Sequence, residues 1–260
     1  MNTTVQDTQT ATSPKRLARI AGGLYLVVAI FAAFAYNIAI GKVYVPGDAA
    51  ATAQRVMANA GLVRAGVVAD LIQATAWIFV AMLFYLLLRH VNENWARAMV
   101  ILVAVGAAIV ILSGVFPVAA LLVATEQSYV AAFGAGSNAL ALLLLDLHHY
   151  GILNASIFFG LWLVPLGLLV YKSGMFPKAL GVLLVVGGVC YPVGVLAVYV
   201  TPAFGETVKT LLINVPTVAE VWLLGYLLVL GVRSSPPADR APVAAFGVPL
   251  DDVFQYSEVK

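Results

Sequence analysis

Six long apolar runs dominate this sequence: Leu17–Gly41, Leu62–Leu88, Ala98–Val123, Asn138–Tyr171, Ala179–Val200 and Leu211–Val232. A run of about 20 residues or more spans the hydrocarbon core of a bilayer as an α-helix. Lipid offers no partner for backbone N–H and C=O groups, so each segment must satisfy its own hydrogen bonds. The expected fold is therefore all-α: a polytopic membrane bundle of six transmembrane helices. The chain is 62% apolar and only 10% charged, which excludes an ordinary soluble domain. Neither a basic stripe for nucleic acid nor a glycine-rich phosphate loop is present.

The lysines and arginines set an orientation. With both termini on one side, Lys15, Arg16, Arg19, Arg89, Arg97, Lys172, Lys178, Arg233, Arg240 and Lys260 share it, against Lys42, Arg55, Arg64 and Lys209 on the other. The positive-inside rule then places both termini in the cytoplasm. The first apolar run is longer than a signal-peptide core of roughly 7–15 residues and reads as a retained helix. Domain organisation follows: a disordered N-terminus over 1–14, a six-helix transmembrane domain over 15–233, and a flexible Pro/Ser-opened tail over 234–260. In the first outer loop, Pro46-Gly47 followed by Asp48 signals a helix start and Gly61 a stop, so a short interfacial helix is expected there.

Ionisable residues inside these runs are functional candidates. The segment LLLLDLHHYGILN carries Asp146, His148 and His149. At about 100° per residue, His149, Tyr150, Asn154 and Ser156 share the face of Asp146, while His148 lies roughly opposite. One histidine is expected in the site and the other in an interhelical hydrogen bond. Asp70 and Gln73 in the second run, and Glu220 in the sixth, complete the acidic set. Each acid lies eight or nine residues from the start of its predicted run, which puts all three roughly 12–14 Å below the outer end. The expectation is one shared polar site, with Asp146, Asp70, Glu220, His149 and His148 as catalytic candidates. Arg64, Gln73, Tyr150 and Asn154 are the ligand-binding candidates, Arg64 being equally readable as a residue that extends to the interface. No cofactor is evident; a divalent metal is compatible with carboxylates and one histidine but not demanded by any spacing. The single cysteine, Cys190, reads as a packing thiol. Pro117, Pro165, Pro192 and Pro216 are expected to kink helices.

The stretches RIAGGLYL, VPGDAAATAQRVMANAGLVRAGVVADLI, LLLLDLHHYGILNASIFFGLWLVPLGLLVYKSGMFPKALGVLL and VAEVWLL, in that order, resemble a bacterial membrane family, domain of unknown function 4386. The likeness covers Arg19 to Gly231. It implies a multi-pass bundle in the bacterial cytoplasmic membrane and directs attention to Pro46, Gly47, Asp48, Arg64, Asp70, Asp146, His148, Gly151 and Glu220. The family pattern favours His148, the helical wheel His149.

Two functions fit these residues. One is acid–base chemistry on, or binding of, a lipophilic small molecule, in the manner of an isomerase, cyclase or hydrolase. The other is proton- or cation-coupled transport; an accessory subunit with a purely structural polar layer is a third reading. Membrane lipids and the lipophilic ligand are the expected partners. A closed, aromatic-walled cavity open to lipid favours the first reading, and a polar path through the bundle the second. The topology is checked by cysteine accessibility in a Cys190→Ala background: Asp48→Cys labels from outside intact cells and Ser234→Cys does not.

Overall fold

The computed structural model describes residues 13–201 and 203–233. Among these residues all regular structure is helical. The expected unstructured ends lie, apart from Ser13 and Pro14, outside the described residues. Ser13 caps the first helix by accepting from the Arg16 N–H, and Pro14 follows it. Six spans are long and apolar enough to cross a membrane: Pro14–Val43, Ala60–Leu88, Glu93–Thr125, Gln127–Ser173, Lys178–Val200 and Gly205–Val229. Each packs on the next, and the sixth returns to the first, closing a ring. Gly231 sits against Lys15 and Arg19, so the two described ends share one face of the bundle, here termed the terminal face.

In lipid the spans gain little from apolar burial against one another, so close packing and hydrogen bonds decide the assembly. Glycines supply the closest approaches. The fourth and fifth spans run antiparallel through Gly160 against Gly188 and, one heptad further, Gly167 against Gly181. A Cβ at Gly160 would stand 2.6 Å from the Gly188 carbonyl, and one at Gly167 would stand 2.7 Å from that of Gly181. Gly22 does the same for the first and sixth spans, where an added Cβ would meet that of Leu227 at 2.9 Å.

Prolines divide the spans at a fixed offset. Helical segments end at Ser113, Leu161 and Leu212, in each case four residues before Pro117, Pro165 or Pro216. The ring of a proline displaces the carbonyl four residues back and offers it no N–H. Pro192 lies within the unbroken helix Lys178–Val200. At the first break the orphaned Ser113 carbonyl finds another donor: His148 Nδ1 lies 3.0 Å from it. A carbonyl only accepts, so Nδ1 carries the proton. His148 is buried at 1% exposure and ties the fourth span to the kink of the third. Gly151, one turn on, lies where a Cβ would collide with the Ser113 side chain.

On the face opposite the termini, Asp48 caps the helix Ala49–Ala58, accepting from the Ala51 N–H at 2.9 Å. Gly47 takes φ of 77°, which its lack of a side chain permits. This short helix stops at Asn59, whose side-chain amide donates to the Arg55 carbonyl, and Gly61 joins the next span instead.

Removing the His148 imidazole leaves a buried carbonyl without a partner, so His148→Ala lowers stability by about 1–3 kcal/mol. Pro117→Ala restores the missing N–H. The double variant therefore melts higher than two independent losses imply, as thermal denaturation in detergent will read out.

Candidate functional site

The first span ends in a wider turn, a π-helix over Phe34–Ile40, before the loop that carries Tyr44. Gly66 of the second span lets this turn approach closely, since a Cβ there would lie 2.6 Å from that of Ala39. The span thereby presents three tyrosines, and each meets an acid or its immediate neighbour. Tyr25 donates to Glu220 Oε1 at 2.7 Å. Gln73 bridges Asp70 Oδ1 at 3.3 Å and the Tyr36 hydroxyl at 2.8 Å. Tyr44 donates to Asp146 Oδ1 at 2.6 Å.

This arrangement corrects the expected single acidic cluster. The three contacts follow one another along the first span. Eleven residues, roughly 16 Å at the α-helical rise, separate Tyr36 from Tyr25, and eight more, through the wider turn and into the loop, separate Tyr44 from Tyr36. The acids occupy three depths rather than one. The physical reason is clearest at Glu220: the sixth span begins at Gly205, not Leu211, so Glu220 lies fifteen residues along it. Among the described residues no three His, Cys, Asp or Glu side chains are grouped so as to hold a metal ion.

Glu220 borders a cavity of about 560 Å³. That volume lies within the roughly 300–1,000 Å³ range of small-molecule sites. An aromatic chain lines it. Tyr25 meets Trp162 edge-on at 5.9 Å, Trp162 meets Trp77 at 5.7 Å, Trp77 meets Phe159 at 5.1 Å, and Phe159 reaches Tyr191 at 6.3 Å. Gly106 of the third span makes room for the Trp77 ring, whose atoms would lie 2.9 Å from a Cβ there. Tyr36 and Gln73 join the wall, and His149 and Lys209 line it from the fourth and sixth spans. Lys209 Nζ is held by Glu206 at 2.6 Å. Glu220 Oε1 has Tyr25; among the described residues no protein donor reaches Oε2. No sealed side-chain oxygen is left without a partner among them either, so Oε2 is open to the cavity.

The opening is lateral. The first and sixth spans touch at Gly22 and Leu227 and again at Tyr25 and Glu220. Beyond that level the lining residues Ala29, Ala33, Thr217 and Val221 are exposed on the bundle's flank. Toward the terminal face the interior is filled by Phe84, Leu88, Met99, Leu166, Leu169 and Leu180, all buried in one core cluster.

A family model described as domain of unknown function (DUF4386) matches residues 20–231. The chain belongs to this family. Comparison with curated proteins and with solved structures finds no match. Several of the positions to which the resemblance directs attention now have a structural account. Pro46, Gly47 and Asp48 start the short helix whose Thr52 hydroxyl exchanges hydrogen bonds with the Val45 backbone, at 3.1 and 3.0 Å, and so fixes Tyr44 beside Asp146. Burial, and after it the bond to Asp146, pushes the Tyr44 phenol above its ordinary value, so it stays protonated as pH rises and goes on donating.

Of the residues singled out in the sequence, Glu220, Gln73 and His149 line the cavity. Asp70 is buried behind Gln73. Asp146, half-buried on Tyr44, does not line it, and His148 serves the Ser113 carbonyl. Tyr150 and Asn154 turn the other way, a departure from the expected shared stripe. Both are exposed and meet Tyr199 of the fifth span, whose hydroxyl donates to Asn154 at 2.8 Å. The wheel spreads these residues over half a circumference, and fifth-span packing divides it. Arg64 is exposed, with no carboxylate partner among the described residues. Cys190 is half-buried in the cavity wall rather than in a core. Tyr25, Tyr36, Tyr44, Tyr191 and Lys209 were missed. A detectable sign existed for two of them: eleven residues is about three helical turns, so Tyr25 and Tyr36 share a face of an otherwise apolar helix.

The pairing predicts which variants couple. Tyr25→Phe and Glu220→Gln share one hydrogen bond, so their double-mutant cycle gives an interaction of about 0.5–3 kcal/mol in thermal stability. Asp146→Asn and Glu220→Gln share none and add to within about 0.5 kcal/mol.

Proposed function

We propose that this protein takes a lipophilic small molecule from the bilayer into the aromatic cavity and exchanges a proton with it through Glu220. The observation that carries the reading is the cavity itself: one carboxyl oxygen open to it, aromatic walls, and a cleft toward lipid between the first and sixth spans. Tyr25 orients the carboxyl through its hydrogen bond, and the His149 imidazole and Lys209 line the same space farther from the terminal face. The roles first considered for Asp70 and Asp146 become supporting ones: Asp70 positions Gln73 and Tyr36 at the wall, and Asp146 holds Tyr44. The packed core toward the terminal face speaks against a transport path along that side. On this reading the membrane is the bacterial cytoplasmic membrane, the termini are cytoplasmic, and the cavity runs from Lys209 near the outer end of the sixth span to Glu220, just past its midpoint.

Native mass spectrometry of the protein released from nanodiscs tests this directly. The wild type carries a lipophilic species, and Ala33→Trp, which fills the cleft, reduces its occupancy at least about tenfold, the equivalent of 1.4 kcal/mol. Equal occupancy in the two proteins, or none in a wild type whose melting is cooperative, overturns the proposal.

A further inference from the structure

Among the described residues the cavity holds one acid, and the bases in its wall stand away from it: His149 lies beside Tyr44, and Lys209 eleven residues before Glu220. Glu220 is the acidic side chain in its wall, and the lysine at its rim, Lys209, is already held by Glu206 at 2.6 Å. The partner of Glu220 is a phenol, Tyr25, which supplies one proton to one oxygen and no positive charge. A carboxylate in a low-dielectric interior needs a cation or several donors to remain ionised. Among the described residues the wall gives the Glu220 carboxyl no donor besides Tyr25. It offers aromatic rings: Tyr25, Tyr36, Trp77, Phe159, Trp162 and Tyr191. Aromatic rings attract cations electrostatically, most strongly when water is excluded, and a carboxylate among them completes the recognition of an ammonium group.

We infer that the ligand is a lipophilic amine, bound as its ammonium ion by Glu220 Oε2 within the aromatic wall. This rests on the preceding reading that the cavity takes its ligand from lipid, and it adds the ligand's chemical class. The amine crosses the cleft between Ala29, Ala33, Thr217 and Val221 as the neutral free base. At the carboxyl the proton passes from Glu220 to the amine nitrogen, whose lone pair forms the new N–H bond as the O–H bond breaks. A neutral acid and a neutral base become a carboxylate–ammonium pair, and net charge is conserved. Tyr25 then donates to an ionised oxygen, and such charge-assisted bonds are roughly twice as strong as neutral ones. The hydrocarbon part of the ligand lies along Val28, Ile152 and Leu224, also in the wall.

Cys190 provides the test, because it is the chain's one cysteine and lines the same cavity. The rate of Cys190 alkylation by a lipophilic maleimide is measured in nanodiscs with three probes at equal bilayer mole fraction. These are N,N-dimethyldodecylamine, its uncharged carbon isostere 2-methyltetradecane, and dodecanoate. The expected result is that the amine slows alkylation at least about tenfold more than the alkane or the fatty acid does. Glu220→Gln abolishes that difference, while Glu220→Asp retains part of it. Equal protection by amine and alkane overturns the amine assignment and leaves a lipophile cavity standing; stronger protection by dodecanoate also overturns it, in favour of an anionic ligand. No protection by any probe overturns the cavity reading as well. The comparison of probes uses the wild-type protein, so it decides the matter even if a Glu220 variant fails to fold.

Discussion

A carboxyl group inside a membrane bundle must be given hydrogen bonds by its own protein, and here that constraint falls on one helix. The first span and the loop after it carry the phenols that donate to Glu220 and Asp146, and its Tyr36 accepts from the Gln73 amide that also serves Asp70. Its wide turn over Phe34–Ile40 and the stapled loop after it set the angle at which Tyr36 and Tyr44 arrive. Without Tyr25 and Tyr44 the sixth and fourth spans would each bring an acid without a donor into the ring, whereas Asp70 keeps the Gln73 amide of its own helix. The close contact at Gly22 then closes that ring next to the deepest of the three pairs.

Phenol partners also differ in kind from the arginines and lysines that pair with acids elsewhere. A phenol lends a hydrogen bond without neutralising charge. The acids are thereby located without being neutralised, and Glu220 is the one that keeps an oxygen facing the cavity. Asp146 on Tyr44 and Asp70 on Gln73 are better understood as fixing where their helices stand.

Much of this was legible in the sequence. Six apolar runs gave six spans, Asp48 gave the cap of the loop helix, and the wheel separated His148 from His149. What it could not give was the depth of Glu220, because residues 205–210 are too polar to extend an apolar run yet still form helix continuous with it. Nor could it give the role of His148, which depends on a carbonyl left without a donor by Pro117, thirty-one residues earlier. Single-helix periodicity ranks faces by polarity, but it does not say which neighbour a polar face will meet. Tyr150 and Asn154 illustrate this, since they share a stripe with His149 and still turn toward Tyr199. Glycine spacing was informative in hindsight: Gly160 and Gly167 on one span answer Gly188 and Gly181 on the next, with the same seven-residue interval.

The cleft between the first and sixth spans has a consequence for how any occupant would be counted. A solute that enters there leaves a two-dimensional solvent, so its occupancy follows its mole fraction in lipid rather than its concentration in water. A weak intrinsic preference for the cavity over the surrounding acyl chains would then look, in aqueous units, like a tight one. The difference between the two would be the partition coefficient of the solute.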